Sequence, residues 1–158
     1  MIEASTFRRV LGHYPTGVCA ITAMPEAGMP AAMVVGTFTS VSLDPPLVGF
    51  FPDRKSSSWQ QIERAGRFCV NVLAADQVEL CKQLAASGPE KFAGLEYGLT
   101  KGGSPLFANV VAWIDCELEQ VVEAGDHYLV LGRVTSLDSE REAPPLLFFQ
   151  GQYGCFSR

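Results

Sequence analysis

Histidine is nearly missing from this 158-residue chain, which carries only His13 and His127. A metal site would have to be assembled from scattered ligands, so none is expected, and no C-x-x-C pair makes up the deficit. The five cysteines, Cys19, Cys69, Cys81, Cys116 and Cys155, are odd in number and spread along the chain. That pattern argues against a disulfide framework; four of them lie in apolar runs and read as small core residues. Basic residues are also few: 12 Lys and Arg against 17 Asp and Glu leave a formal net charge of −5. A nucleic-acid partner is therefore not expected. No segment reaches the roughly 18 uninterrupted apolar residues that a membrane span needs. The start, MIEASTFRRVL, has no signal-peptide pattern, so the expectation is a reduced, cytoplasmic protein with no membrane partner.

Nucleotide and hydrolase fingerprints are absent too. Neither G-x-G-x-x-G nor G-x-x-x-x-G-K-[ST] occurs, and no G-x-S-x-G accompanies either histidine. Rossmann, P-loop and Ser-His-Asp chemistry are thus unsupported.

What the chain has in quantity is apolar residue, 47% of the total. That is ample for a single domain over residues 1–158, with side chains to spare for a ligand pocket or a subunit interface. Ser5 or Thr6 can cap a short helix whose Phe7, Val10, Leu11 and Tyr14 share a face. Strand patterns at 17–24 and 31–35 flank a turn at 25–28 and read as a hairpin with a longer loop. Trp59, Ile62 and Ala65 repeat at helical spacing as far as Gly66. A strand pattern covers 68–73, and Asp76 with Glu79 resembles a capping box for the next helix. Residues 87–105 form a long Gly-, Pro- and charge-rich loop of a kind that is usually functional. Strand patterns at 106–122 and 128–137 meet at Glu123 to His127, and a last one covers 146–149. Seven or so strands without alternating β-α units predict a mainly β, antiparallel barrel with a few short peripheral helices.

One stretch, GTFTSVSLDPPLVGFFPDRKSSSW at 36–59, combines features that suit an aromatic cofactor with a phosphate tail. Thr37, Thr39, Ser40 and Ser42 offer short polar donors, although an edge strand with one solvated face reads the same way. Arg54, Lys55, Ser56, Ser57 and Ser58 precede a helix, and Ser57/Gln60 or Ser58/Gln61 can form a capping box there. Unpaired N–H groups, a helix dipole and serine hydroxyls together favour a phosphate, but an ordinary serine-capped turn has the same sequence. Asn71 is a polar amide inside an apolar strand and must find partners in the backbone or a ligand. Gly125-Asp126-His127 is turn chemistry, with His127 either solvated or functional.

Taken together, these residues resemble the flavin reductase-like family with an FMN-binding split barrel. The resemblance rests on Phe7-Arg8, Thr16-Gly17-Val18, Ser40-Val41-Ser42-Leu43-Asp44-Pro45-Pro46-Leu47-Val48, Phe68 to Leu73, Lys91-Phe92-Ala93-Gly94 and Gly125-Asp126-His127. It implies a homodimeric, Greek-key-like split β-barrel that binds FMN, with FAD possible, and uses NADH or NADPH as co-substrate. The implied activity is an NAD(P)H:flavin oxidoreductase that passes reduced flavin to a separate oxygenase component. The same barrel could instead bind flavin without catalysis, as an electron store, or serve as a scaffold with a degenerate pocket. By this likeness Val34, Val35, Gly36, Thr37, Ser40, Val41 and Ser42 line the isoalloxazine ring. Lys55, Ser56, Ser57 and Ser58 take the phosphate, Lys91 and Phe92 close over the tail, and Asn71, Val72 and Leu73 sit beside the flavin. His127 faces the nicotinamide as the catalytic residue. The chain departs from the family in having Val34 where threonine is common and Gly36 where a small polar residue is.

Overall fold

Residues 19–26 and 67–72 place side chains alternately on two faces, and both faces of the resulting sheet are covered. The computed structural model describes residues 1–158. Helix α1 (Ala4–Leu11) precedes β1 (Thr16–Gly17), β2 (Cys19–Glu26), β3 (Met29–Val35), β4 (Thr39–Ser42) and β5 (Leu47–Phe50). Helix α2 (Ser57–Ala65) then leads into β6 (Arg67–Val72), a 3-10 turn (Ala75–Gln77) and α3 (Val78–Ala85). The chain finishes with β7 (Gly98–Leu99), β8 (Pro105–Leu106), β9 (Ala112–Ala124), β10 (His127–Ser139), β11 (Leu146–Phe149) and β12 (Gln152–Cys155). It is mainly β, and every strand pairing is antiparallel, as expected.

Seven strands form one sheet in the order β3-β2-β6-β9-β10-β5-β4. This order forces curvature. Flat strands at about 4.8 Å spacing would put β3 and β4 about 29 Å apart. Yet only Gly36, Thr37 and Phe38 separate those strands in sequence. Such a link reaches at most about 14 Å even when fully extended. The sheet therefore curls until its two edge strands approach each other, which brings the 36–59 stretch back towards β3.

Alternation divides the core in two. Cys19, Ile21 and Ala23 of β2 join Phe50, Trp59, Ile62, Phe68, Val70 and Val130 on one face. Val18 and Ala20 join Leu73, Cys81, Leu84, Phe107, Val110 and Leu146 on the other. Helix α2 seals the first cluster through Trp59 and Ile62, and α3 seals the second through Cys81 and Leu84. Ile62 and Leu84, both buried, each contribute about 1.5–3 kcal/mol from water exclusion.

Four of the five cysteines are buried and all are free. Burial pushes the Cys19 and Cys116 thiols up to about 12, so neither is a nucleophile at neutral pH.

Several local details differ from the sequence reading. Glu3, with no side-chain bond, stands at the start of α1 in place of Ser5 or Thr6. Gly28, at φ 75°, lets β2 and β3 join by a tight turn rather than a longer loop. Asp76 does not cap α3; its carboxylate accepts from Arg141 Nη2 at 2.6 Å. The pattern at 106–122 breaks into β8 and β9, and β12 was not anticipated because its residues are all exposed. No helix of the chain is long and apolar enough to cross a membrane.

Candidate functional site

The serine loop is shaped by the start of α2. Ser56 takes extended φ/ψ, and its Oγ accepts from Trp59 N at 3.1 Å, so Ser56 is the cap rather than Ser57 or Ser58. Asp53 Oδ1 accepts from Lys55 N at 2.8 Å and fixes the preceding turn. Capping uses only a lone pair of Ser56, which leaves its O–H proton free to donate outward. The hydroxyls of Ser57 and Ser58 are not needed for the cap. Lys55, Ser56, Ser57 and Ser58 all line a cleft of about 530 Å3, together with Ala32, Gly88, Lys91 and Phe92. Six of the predicted cofactor residues are thus brought to one place.

Lys91 decides what that cleft suits. Its Nζ donates to Ala32 O and to Ser58 Oγ, each at 2.9 Å, and it forms no ion pair with a carboxylate. Burial holds its pKa below the usual lysine range. A half-buried ammonium bonded only to neutral oxygens, beside three serines and the dipole-positive end of a nine-residue helix, matches a phosphate. The donor set therefore fits the phosphorylated end of a flavin nucleotide.

The apolar part of the expected site lies further along β3. Val34, Val35 and Gly36 line a second, smaller cleft of about 240 Å3 with Thr16, Phe148 and Tyr153. Close approach explains Gly36: a Cβ there would come within 2.7 Å of Thr16 Oγ1. Thr37 is tied to the chain, its Oγ1 accepting from Phe51 N at 3.0 Å. Ser40, Val41 and Ser42 lie on edge strand β4 and line neither cleft.

Asn71 and Leu73 line neither cleft, and both have no accessible surface. The Asn71 amide is satisfied internally: Nδ2 donates to Thr22 Oγ1 at 3.1 Å and Ala20 O at 3.3 Å, and Oδ1 accepts from Phe107 N at 3.0 Å. Val72, between them, is half-buried and packs on the core cluster that contains Phe68.

His127 opens β10 and is bridged to Asp53 in the turn before the serines. Its Nδ1 lies 2.7 Å from Asp126 Oδ1, which places the proton on Nδ1 and leaves Nε2 available. That hydrogen bond holds the Asp126 carboxyl below the usual range. Arg54 fastens the hairpin tip to the loop: its N donates to Asp126 O at 3.1 Å, and its guanidinium sits 5.2 Å from the Tyr128 ring. His127 lines neither cleft; its link to the serine loop is the bridge to Asp53.

A family model described as a flavin reductase-like domain matches residues 11–157. The chain belongs to that family. This family member is 57% identical over 156 residues to a flavin reductase of Pseudomonas putida, covering 99% of this chain and 92% of that protein. Its fold matches a nitrilotriacetate monooxygenase component B homologue from Mycobacterium thermoresistibile with TM-score 0.92 and 42% identity, over 97% of this chain and 86% of the other. It also matches the NADH:FAD oxidoreductase of Streptomyces globisporus C-1027, in complex with NAD and FAD fragments, with TM-score 0.91 and 31% identity. That match covers 98% of this chain and 93% of the other. The expected class, an NAD(P)H:flavin oxidoreductase, agrees with these relatives.

Sequence reasoning missed the residues that hold the site from behind. Thr22 and Asp115, both buried, grip the 102–107 segment, whose Phe107 ring stacks on Phe92. Thr22 Oγ1 donates to Pro105 O at 2.6 Å, and Asp115 Oδ2 accepts from Gly102 N at 3.1 Å. Polar residues at inward strand positions were the available signal; Asn71 alone was read that way.

Proposed function

We propose that this flavin reductase family member binds FMN, with FAD as the alternative, oxidises NADH or NADPH, and hands the reduced flavin to a separate oxygenase. The Lys91 ammonium, without an acidic partner and facing Ser56, Ser57 and Ser58, is the observation that carries this reading. When bound, the flavin supplies the two-electron acceptor chemistry that no side chain here provides. The chain's own residues bind and orient. The serines, Lys55 and the start of α2 hold the phosphate, Phe92 covers the tail, and Val34, Val35 and Gly36 offer an apolar wall to the ring. Orientation of two rings in one site makes their reaction effectively unimolecular. Relatives named as a monooxygenase component and as an NADH:FAD oxidoreductase support the oxygenase partner and the nicotinamide. The deciding assay follows NADH and NADPH oxidation with FMN, FAD and riboflavin added in turn. Flavin binding without nucleotide consumption would instead make the protein an electron store.

In this reading His127 serves the nicotinamide. Nε2 is directed by the Asp126 bond and can meet the carboxamide or a dinucleotide phosphate. His127→Ala is expected to leave flavin affinity unchanged and to raise KM for the nucleotide. If the contact tightens as the rings stack, kcat falls with it. Unchanged KM and unchanged flavin reduction in stopped flow would return His127 to the solvent.

A homodimer is part of the same proposal. Helix α1 buries no residue, and Phe7, Val10, Leu11 and Tyr14 on it and just after it are each more than half exposed. Phe149 and Phe156 add to the uncovered apolar surface. A second copy would cover such a face. Light scattering is expected to give about twice 17.1 kDa. A monomer that still binds flavin would dismiss the interface.

A further inference from the structure

Lys91 and Phe92 reach the cleft from a segment with no helix or strand between Ala85 and Gly98. Something other than regular secondary structure must fix their position. In the last turn of α3, Gln83 extends its side chain across the loop. Its Nε2 donates to Lys91 O at 3.0 Å and to Ala93 O at 2.8 Å. Both amide hydrogens are therefore used, and the two acceptors flank Phe92. The Phe92 ring is in turn stacked on Phe107 at 6.0 Å and edge-on to Tyr97 at 5.5 Å.

We propose that Gln83 is a positioning residue for phosphate recognition: its amide sets the 91–93 turn so that Lys91 Nζ is presented to the cleft between Ala32 O and Ser58 Oγ. This rests on the reading above that a flavin phosphate binds there. The chemistry selects glutamine. One uncharged nitrogen must donate in two diverging directions to two carbonyl oxygens, which a primary amide does and a carboxylate cannot. A lysine would add a charge beside Lys91, and an apolar residue would leave both carbonyls to water. Gln83 does not touch the ligand, so its removal leaves the cation present but free to move. The loss is one of orientation, smaller than that of removing Lys91 itself.

The test compares FMN and riboflavin binding to the full-length, flavin-free protein by fluorescence titration. Lys91→Ala is expected to weaken FMN about tenfold and leave riboflavin unchanged. Gln83→Ala should show the same phosphate-selective loss at about three- to tenfold, and the double variant should be no weaker than Lys91→Ala alone, since both act on one contact. Gln83→Met preserves bulk and is expected to behave like the alanine variant should that one fold poorly. Gln83→Glu should be at least as damaging. Equal weakening of both flavins by Gln83→Ala, or losses that multiply in the double variant, would overturn the positioning role. So would unaltered FMN binding by Gln83→Ala alongside a damaged Lys91→Ala. If Lys91→Ala leaves the FMN-to-riboflavin ratio untouched, the phosphate reading fails and the role of Gln83 fails with it.

Discussion

Replacing Ser56 and Ser58 together by alanine is expected to weaken FMN binding tenfold or more and to leave riboflavin nearly unaffected. Hydrogen bonds to a charged phosphate are worth on the order of 1.5–3 kcal/mol each, so one lost bond already accounts for a tenfold change. The two serines do not contribute in the same way. Ser56 caps α2 through Trp59 N, and losing that cap costs about 1 kcal/mol of stability whatever the ligand. Ser58 makes no cap and shares a hydrogen bond with Lys91 Nζ. Ser58→Ala alone should therefore lower FMN affinity and give up only its bond to Lys91, whereas Ser56→Ala should lower FMN affinity and also uncap α2. Equal losses for FMN and riboflavin would mean that the loop shapes the cleft without touching phosphate.

Gly132→Ala is expected to cost about 3 kcal/mol, seen as a lowered denaturant midpoint. Gly132 lies on β10 where its register with β9 shifts. A Cβ there would come within 2.5 Å of Phe68 Cζ and 3.1 Å of Cys116 Cβ. Phe68 has no accessible surface and packs edge-on to Phe50 at 5.3 Å, which packs on Trp59 at 5.9 Å. The clash therefore falls on a ring with nowhere to go. Gly154→Ala, with nothing within 4 Å of its added carbon, is the control and should leave the midpoint in place. An unmoved midpoint for Gly132→Ala would show that the Phe68 ring can yield.

Local patterns were legible where a single element decides them. Trp59, Ile62 and Ala65 marked α2, Gly66 ended it at φ 71°, and Glu123 to His127 marked the hairpin turn. The serine loop, Lys91 and Phe92 were also found, because charge and hydroxyl groups at a helix start advertise themselves. What could not be read was direction. Asn71 stands out in an apolar strand for the same reason whether it meets a ligand or Phe107 N, and only the fold shows which. Gln83 gives no signal at all: glutamine on a short helix is ordinary, and its partners lie in a loop whose path the sequence does not specify. Ser40 to Ser42 read equally as a donor row or as a solvated edge strand, and they do stand on an edge strand, with Thr39, Ser40 and Val41 exposed.

The strand order has a consequence for how the molecule is made. The three hairpins of the seven-stranded sheet, β2–β3, β4–β5 and β9–β10, close over short distances in the chain and can form on microsecond timescales. Joining them is another matter: Phe50 pairs with Val130 across 80 residues, and Ile21 pairs with Val70 across 49. Contacts that distant give up much chain entropy before they return anything. The cleft draws its walls from β3, the start of α2 and the 87–92 loop, which belong to different pieces of that assembly. In refolding, strand signal should accordingly return before the ability to hold a phosphorylated flavin does.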